Sequence, residues 1–496
     1  MSARAGSPRA RLSGLAALAI ALLLGAWLFS TLPFQAPDEA SHYLRALSIT
    51  NGQLLGRKTL YTEPSPITST QRRWTSGNTR AVDVPGHLSP PNVTCAADNQ
   101  PDTTPAGCVE QSYTGNYPPL PYLLPAAALA VSHSADGALW LGRVASALPC
   151  LALIVLAFVF AISGGLWPLF GLLVALTPMS LFVGSLINPN GLQIAANLAF
   201  AVGLLRVVRD PRTVSRAEIA AVAISGAVVV LAWQLGPLFA VCDLALAGAL
   251  LDRRRAGELL ERRGLVPVVA AAVSGSLLLY AVWAAVSGLA NGGVSFDQLR
   301  SHVTAALHQF EPILHQSVGS FGSVSIPVPH GLYLAWLAIA LALGAAAVAV
   351  SPWRLRVVAV ATPLLAMLVP LVFFALIYVD TGWQLQGRYV LPLIALPPLL
   401  WGELVGRARA AVARFWLLPV AGIAATAVLQ CWAWWTNARA SASATHAFWF
   451  LANPVWNPPV GWPVLTAAAL VGGLLLIAVA ALGGRLELGS DAATDW

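Results

Sequence analysis

Long apolar stretches recur from one end of this chain to the other, and no water-soluble fold could bury them all. A membrane-spanning helix takes about 20 predominantly apolar residues, because a helix satisfies its own backbone hydrogen bonds inside a bilayer. Candidate spans fall at 11–32, 138–161, 165–186, 190–208, 216–234, 235–251, 264–288, 331–350, 356–378, 389–406, 415–435 and 461–483. The sequence thus predicts an all-α polytopic membrane protein with about 12 transmembrane helices. Composition agrees: 57% of the 496 residues are hydrophobic and 10% are charged, against about 25% charged in ordinary soluble domains.

The formal charge of +7 has to be read loop by loop. Lys58 is the one lysine, and no basic tract with interleaved aromatics occurs, which argues against nucleic acid as a partner. Positively charged loops stay cytoplasmic. Arg4, Arg9 and Arg11 precede the first span; Arg206, Arg209, Arg212 and Arg216 share one loop, and Arg253, Arg254, Arg255, Arg262 and Arg263 another. With Arg354, Arg356, Arg407, Arg409, Arg414 and Arg485 they fall on one side only if the short apolar segment 119–133 does not cross. That segment is therefore expected to be a juxtamembrane or re-entrant helix on the outer face. Residues 1–32 then form a cytoplasmic tail and a first anchor, left uncleaved because no small-x-small site precedes Pro37-Asp38-Glu39. Residues 33–137 form an extracytoplasmic loop, 138–483 a bundle with further outer loops at 288–330, 379–388 and 436–460, and 484–496 a cytoplasmic tail.

The first outer loop is polar and far longer than a connector needs to be. It holds Cys95 and Cys108, in a compartment where disulfides persist, and a bridge between them is expected. Cys150, Cys242 and Cys431 lie in apolar spans and read as small core residues. Near 296–318, Val303, Leu307, Phe310 and Leu314 mark one face of an amphipathic surface helix. His308, Glu311 and His315 on it have the spacing of a metal corner; the plainer reading is a solvated face of a helix kinked at Pro312.

Residues 33–45 carry the densest chemistry. Asp38 and Glu39 follow directly on the first span, with His42 and Arg45 about one and two turns further along. Carboxylates there can deprotonate a hydroxyl or hold a divalent cation, and an arginine can meet phosphate. The alternative is that both acids are the dipole-favoured first turn of a surface helix begun by Pro37.

Three further motifs stand with that cluster: Tyr117-Pro118-Pro119-Leu120-Pro121-Tyr122 with Arg143 at the head of the next span, Asn188-Pro189-Asn190-Gly191, and Gln386-Gly387-Arg388-Tyr389. Together they resemble the C-type glycosyltransferase superfamily (GT-C). Within it they resemble most a bacterial family of predicted integral membrane proteins of unknown function. Asn190 stands where those relatives have aspartate. The resemblance implies a multi-spanning enzyme in the bacterial plasma membrane, its active site outside the cytoplasm. It would move a sugar from a polyprenyl-phosphate carrier to an envelope glycan or lipid acceptor. Asp38, with Glu39 beside it, would be the catalytic acidic site. The substrate and phosphate contacts would come from His42, Arg45, Tyr117, Arg143, Asn188, Asn190, Gln386, Arg388 and Tyr389. A divalent cation is a candidate cofactor. Asp243, deep in its span, is expected to face the bundle interior with a structural partner. A transporter of lipid-linked glycans, or a non-catalytic envelope assembly subunit, are the rival readings, and the first of these predicts broken helices near the midplane.

Overall fold

The computed structural model describes residues 8–59, 75, 77–85, 88, 107–262, 264–289, 299–381, 385–443 and 448–492. Among the described residues nine helices are long and apolar enough to cross a membrane: Pro8–Ser30, Ala135–Gly164, Pro189–Arg209, Leu265–Ser287, His330–Val350, Trp353–Phe373, Gly387–Arg407, Ala413–Ala442 and Trp462–Glu487. Each coincides with an expected span. The other three expected spans are interrupted or short. Residues 165–186 divide into Leu166–Ala175 and Pro178–Gly184, bent by 66°, because Pro178 supplies no N–H and disfavours helical geometry at Thr177. Residues 216–251 divide into Arg216–Ala232 and Gly236–Ala249. The count of about 12 is thus not confirmed: among the described residues there are nine full-length helices, or ten with the bent pair taken as one span. Hydropathy registers apolar length and is blind to a bend.

The arginine loops gather at one end of the bundle. Arg209 and Arg407 share the buried carboxylate of Glu403, Arg212 pairs with Glu258 at 3.2 Å, and Arg262 bonds the carbonyl of Val214. Arg354 donates to the carbonyl oxygens of Ala249 and Leu251. The first and last helices run antiparallel: Gly472 backs onto Ala19 and Leu23, whereas Gly483 lies against Leu12. The last span therefore returns to the end where the first begins. Arg209 closes the helix Pro189–Arg209, whose other end starts at Asn188 beside Pro37. At 1.5 Å per residue that helix separates the arginine end from the Asp38 end by about 30 Å, the thickness of a bilayer core.

Over the Asp38 end lies a small layer of its own. The helix Glu39–Thr50 packs on a three-stranded antiparallel sheet of Arg57–Lys58, Arg80–Pro85 and Gly107–Ser112, with Arg80 opposite Ser112 and Val82 opposite Glu110. Ser112 and Thr114 hydroxyls donate to the Ser41 carbonyl and tie sheet to helix. Leu120–Ala130 is a short apolar helix, as expected for 119–133. It would span only about 16 Å, half of a bilayer core.

Cys95 lies outside the described residues, and so does the expected bridge to Cys108. Cys150 is buried and Cys242 and Cys431 are half-buried, all as free thiols. The surface helix near 296–318 is two helices, Leu299–His308 and Phe310–Val318. The break falls at Gln309 and not at Pro312, which sits in the first turn of the second helix, where a missing N–H costs nothing.

Candidate active site

Asp38 is the N-terminal cap position of the helix Glu39–Thr50, yet its carboxylate makes no capping bond. Its backbone stands in the left-handed region, at φ 61 and ψ 7, a conformation that costs a non-glycine residue about 1–3 kcal/mol and persists only where the surroundings enforce it. Two anchors do so. On one side the Asn188 amide donates to the Pro37 carbonyl at 3.1 Å, while Asn188 Oδ1 caps its own helix through the Asn190 N–H. On the other side Glu39, with no solvent exposure, forms a fork-to-fork pair with Arg143 at 2.7 and 2.6 Å. The remaining Arg143 N–H groups donate to the carbonyl oxygens of Leu28, Thr31 and Leu32. The five N–H groups of that guanidinium are thus all committed, and none is left for a phosphate. This pair seals the end of the first span to the start of the surface helix.

The strained turn delivers the Asp38 carboxylate into a polar cluster drawn from distant parts of the chain. Arg388 Nη2 donates to Asp38 Oδ2 at 2.5 Å, and the Tyr113 hydroxyl donates to Oδ1 at 2.7 Å. Arg388 also bonds the Gln386 side-chain oxygen and the Tyr389 hydroxyl, and its guanidinium carbon lies 4.6 Å from the Tyr389 ring centroid. Tyr389 in turn stacks on Trp233, ring centroids 5.0 Å apart. Arg388 is 1% exposed, whereas the Asp38 side chain is 32% exposed. The acid is therefore the member of the pair that solvent reaches.

Burial pushes the Asp38 carboxyl up, but Arg388, His42 and the Tyr113 hydroxyl outweigh it, so the group stays below its ordinary range and is ionised at neutral pH. Burial holds His42 down at about 4, with Arg388 acting in the same direction and Asp38 against it. The imidazole is therefore neutral and its Nδ1 meets the Tyr122 hydroxyl at 2.8 Å. Burial raises Tyr113 well above a free phenol and keeps it a proton donor to Asp38.

The remaining expected contacts divide cleanly. Arg45 is fully buried and donates to the carbonyl oxygens of Leu54 and Tyr117, at 2.5 and 3.1 Å, so it braces the outer layer away from the Asp38 carboxylate. Tyr117 lines the His42 side of the cluster, ring centroids 6.1 Å apart. Asn190 is buried with its amide nitrogen unpartnered. His308, Glu311 and His315 lie on two different helices, and among the described residues no group of three His, Cys, Asp or Glu side chains is placed to hold a metal ion. Tyr113, Tyr122 and Trp233 join the site without having been singled out in the sequence. Tyr122 carried a signal, as the closing tyrosine of the Tyr117–Tyr122 motif; Tyr113 and Trp233 carried none, since neither belongs to a short motif.

A polytopic helical membrane protein with a charged, aromatic-lined cluster at one end of its bundle is the class that this fold and site define. The model of the family described as predicted membrane protein (DUF2142) matches residues 21–397, more than half of the chain, and the chain belongs to that family. No curated protein matches it in sequence. Among solved structures it is similar to ArnT from Cupriavidus metallidurans in the apo state, at 15% identity and a TM-score of 0.43, covering 96% of this chain and 78% of that one. The same protein bound to undecaprenyl phosphate matches at 14% identity and a TM-score of 0.41, covering 97% and 79%.

Proposed function

We propose that this chain is a GT-C-type membrane glycosyltransferase that moves a sugar from a polyprenyl-phosphate donor to an extracytoplasmic envelope glycan or lipid, with Asp38 as general base. The observation that carries this reading is the Asp38–Arg388 pair: a carboxylate one-third exposed, held in a strained turn against a buried guanidinium 350 residues away. The reaction asks for a base at the acceptor hydroxyl and a cation at the leaving phosphate, and these two groups are the natural candidates.

A sequence of events follows from the electrostatics. Before the donor binds, Arg388 keeps Asp38 ionised and weakly basic. A donor phosphate competes for the guanidinium, and as that contact loosens the burial of Asp38 dominates and its basicity rises. Asp38 then takes the proton of the acceptor hydroxyl as the acceptor oxygen attacks the anomeric carbon. The bond from that carbon to the phosphate oxygen breaks, and polyprenyl phosphate leaves with the electron pair, its charge met by Arg388. Tyr389 on Trp233 keeps the guanidinium in place. Glu39, Arg143, Arg45 and Asn188 hold the turn that aims Asp38 and take no part in the chemistry, which revises the contact roles that the family resemblance implies for them.

The test is incubation of purified protein with a panel of polyprenyl-phosphate sugars and membrane acceptors, followed by mass analysis of released carrier. Asp38→Asn should lower transfer by about 10² to 10⁴, the usual worth of a general base, with the protein still folded and inserted. Transfer at the wild-type rate would remove the assignment. The bent span at Thr177 favours a second reading, transport of a lipid-linked glycan, since broken helices are common in transporters. Carrier-linked sugar crossing vesicles without release of carrier would select that reading.

A further inference from the structure

We propose that the arginine end of the bundle carries an anion site that binds a phosphate group, whether of a phospholipid headgroup or of a soluble phosphate. A cavity of about 250 Å³ opens there, between the end of the helix Pro189–Arg209 and the start of the helix Arg253–Glu261. It is smaller than the ~300–1,000 Å³ pockets that enclose drug-sized ligands, and suits a small headgroup. Arg209, Arg212, Arg254 and Arg255 line it. Three carboxylates share the wall, and each is already engaged. One oxygen of Glu258 meets both Arg212, at 3.2 Å, and the Arg254 Nε–H, at 3.1 Å. Asp252 accepts from the Arg255 backbone N–H at 2.8 Å and caps its helix, and Asp210 accepts from the Thr213 hydroxyl at 2.6 Å. Behind the wall Arg209 is held by the buried carboxylate of Glu403, which Arg407 shares.

The chemistry of this cluster selects its ligand. With Arg407 and Glu403 counted, five guanidiniums meet four carboxylates, so the cluster keeps a net positive charge. The surplus of hydrogen-bond donors is larger than the surplus of charge, because each guanidinium carries five N–H groups. Among the described residues Arg254 commits its Nε alone, and Arg212 and Arg255 touch their acids as ion pairs, at 3.2 and 3.6 Å. The Arg212 and Arg254 side chains are 67% and 84% exposed, so their remaining N–H groups face solvent. A phosphate offers several acceptor oxygens, and the planar arginine fork matches two of them at once. The cavity also lies at headgroup depth, at the far end of a helix as long as the bilayer core is thick, and basic pockets between helices at that level bind phospholipid headgroups. The short helix Arg253–Glu261 exposes Leu260, as a segment lying in the membrane interface does. The site is remote from Asp38, and the inference stands whether or not the chain transfers sugars.

The experiment uses the full chain, purified in detergent and stripped of phospholipid, at constant ionic strength. One arm titrates inorganic phosphate; the other titrates phosphatidylglycerol against phosphatidylcholine in mixed micelles. Thermal unfolding and native mass spectrometry should show one saturable site, with the unfolding temperature rising as it fills. Arg212→Gln combined with Arg254→Gln should weaken binding by about tenfold or more. Arg216→Gln combined with Arg253→Gln removes the same charge from exposed side chains that do not line the cavity, and should change the affinity less than about twofold. Saturation by phosphate with no preference for phosphatidylglycerol would assign a soluble ligand, and retention of one phosphatidylglycerol would assign a headgroup; either result upholds the site. Because saturation is measured on wild-type protein, a variant that fails to fold leaves the test intact. Failure of both probes to saturate, or equal weakening by the two pairs of substitutions, would reduce these arginines to a general charge bias and overturn the proposal.

Discussion

At the scale of single residues, the centre of this protein is a division of labour between two adjacent acids. Glu39 is completely enclosed with Arg143, whereas Asp38 keeps a third of its side chain open. Removing one partner of a buried pair leaves an uncompensated charge and costs about 3–5 kcal/mol. Arg143→Met should therefore lower the unfolding temperature in detergent far more than Asp38→Asn, while the double change Glu39→Gln with Arg143→Met recovers part of the loss. Equal stability losses for Asp38→Asn and Arg143→Met would contradict the division. His42 gives a pH signature. Its folded value of about 4 lies below the ordinary 6.5, so as pH falls below 6.5 the unfolded chain takes up a proton that the folded one refuses. Stability is then lost between pH 6.5 and about 4. Thermal melts of His42→Gln should show a shallower decline over that window than the wild type; parallel curves would remove His42 as the source.

At the scale of elements, close helix crossings hold the bundle together. Without water to expel, helices in a membrane associate through tight packing of small residues. Gly171 of Leu166–Ala175 and Gly402 of Leu396–Arg407 meet backbone to backbone, and a Cβ on either would strike the other's Cα within 3.0 Å. Gly402→Leu should therefore destabilise the protein by about 1–3 kcal/mol, the usual cost of overpacking, read as a loss of the thermally resistant peak on size exclusion. An unchanged melting profile would show that this crossing can open without cost. The same crossing lies on the helix that continues from Arg388, so the expected loss of packing should reach the site through Gly387–Ile394.

For the whole molecule, the question is which way the two ends face. The arginine end binds together the loops around 209–215, 253–262 and 354, and the positive-inside rule predicts that it faces the cytoplasm. In a background lacking native cysteines, Ala452→Cys near the Asp38 end should react with a membrane-impermeant maleimide in intact cells, and Arg253→Cys only after permeabilisation. The reverse pattern would invert the molecule and place the candidate active site in the cytoplasm.

Much of this was written in the sequence, because bilayer insertion depends on local composition. Apolar runs of about 20 residues determined the class and nine of the spans, and arginine placement separated the two ends and kept 119–133 out of the spans. The Pro-Asp-Glu, Asn-Pro-x-Gly and Gln-Gly-Arg-Tyr motifs marked the segments that converge, since each sits where a span begins or ends. What each charged side chain does was decided by tertiary structure alone. Asp38 and Glu39 are neighbours in sequence with the same chemistry, yet one faces Arg143 and the other faces Arg388, and only the left-handed turn between two anchors separates their directions. Tyr113 and Trp233 acquire meaning in the same way. A carboxylate's role is set by the charges, donors and depth of burial around it, and in this chain those come from helices hundreds of residues apart.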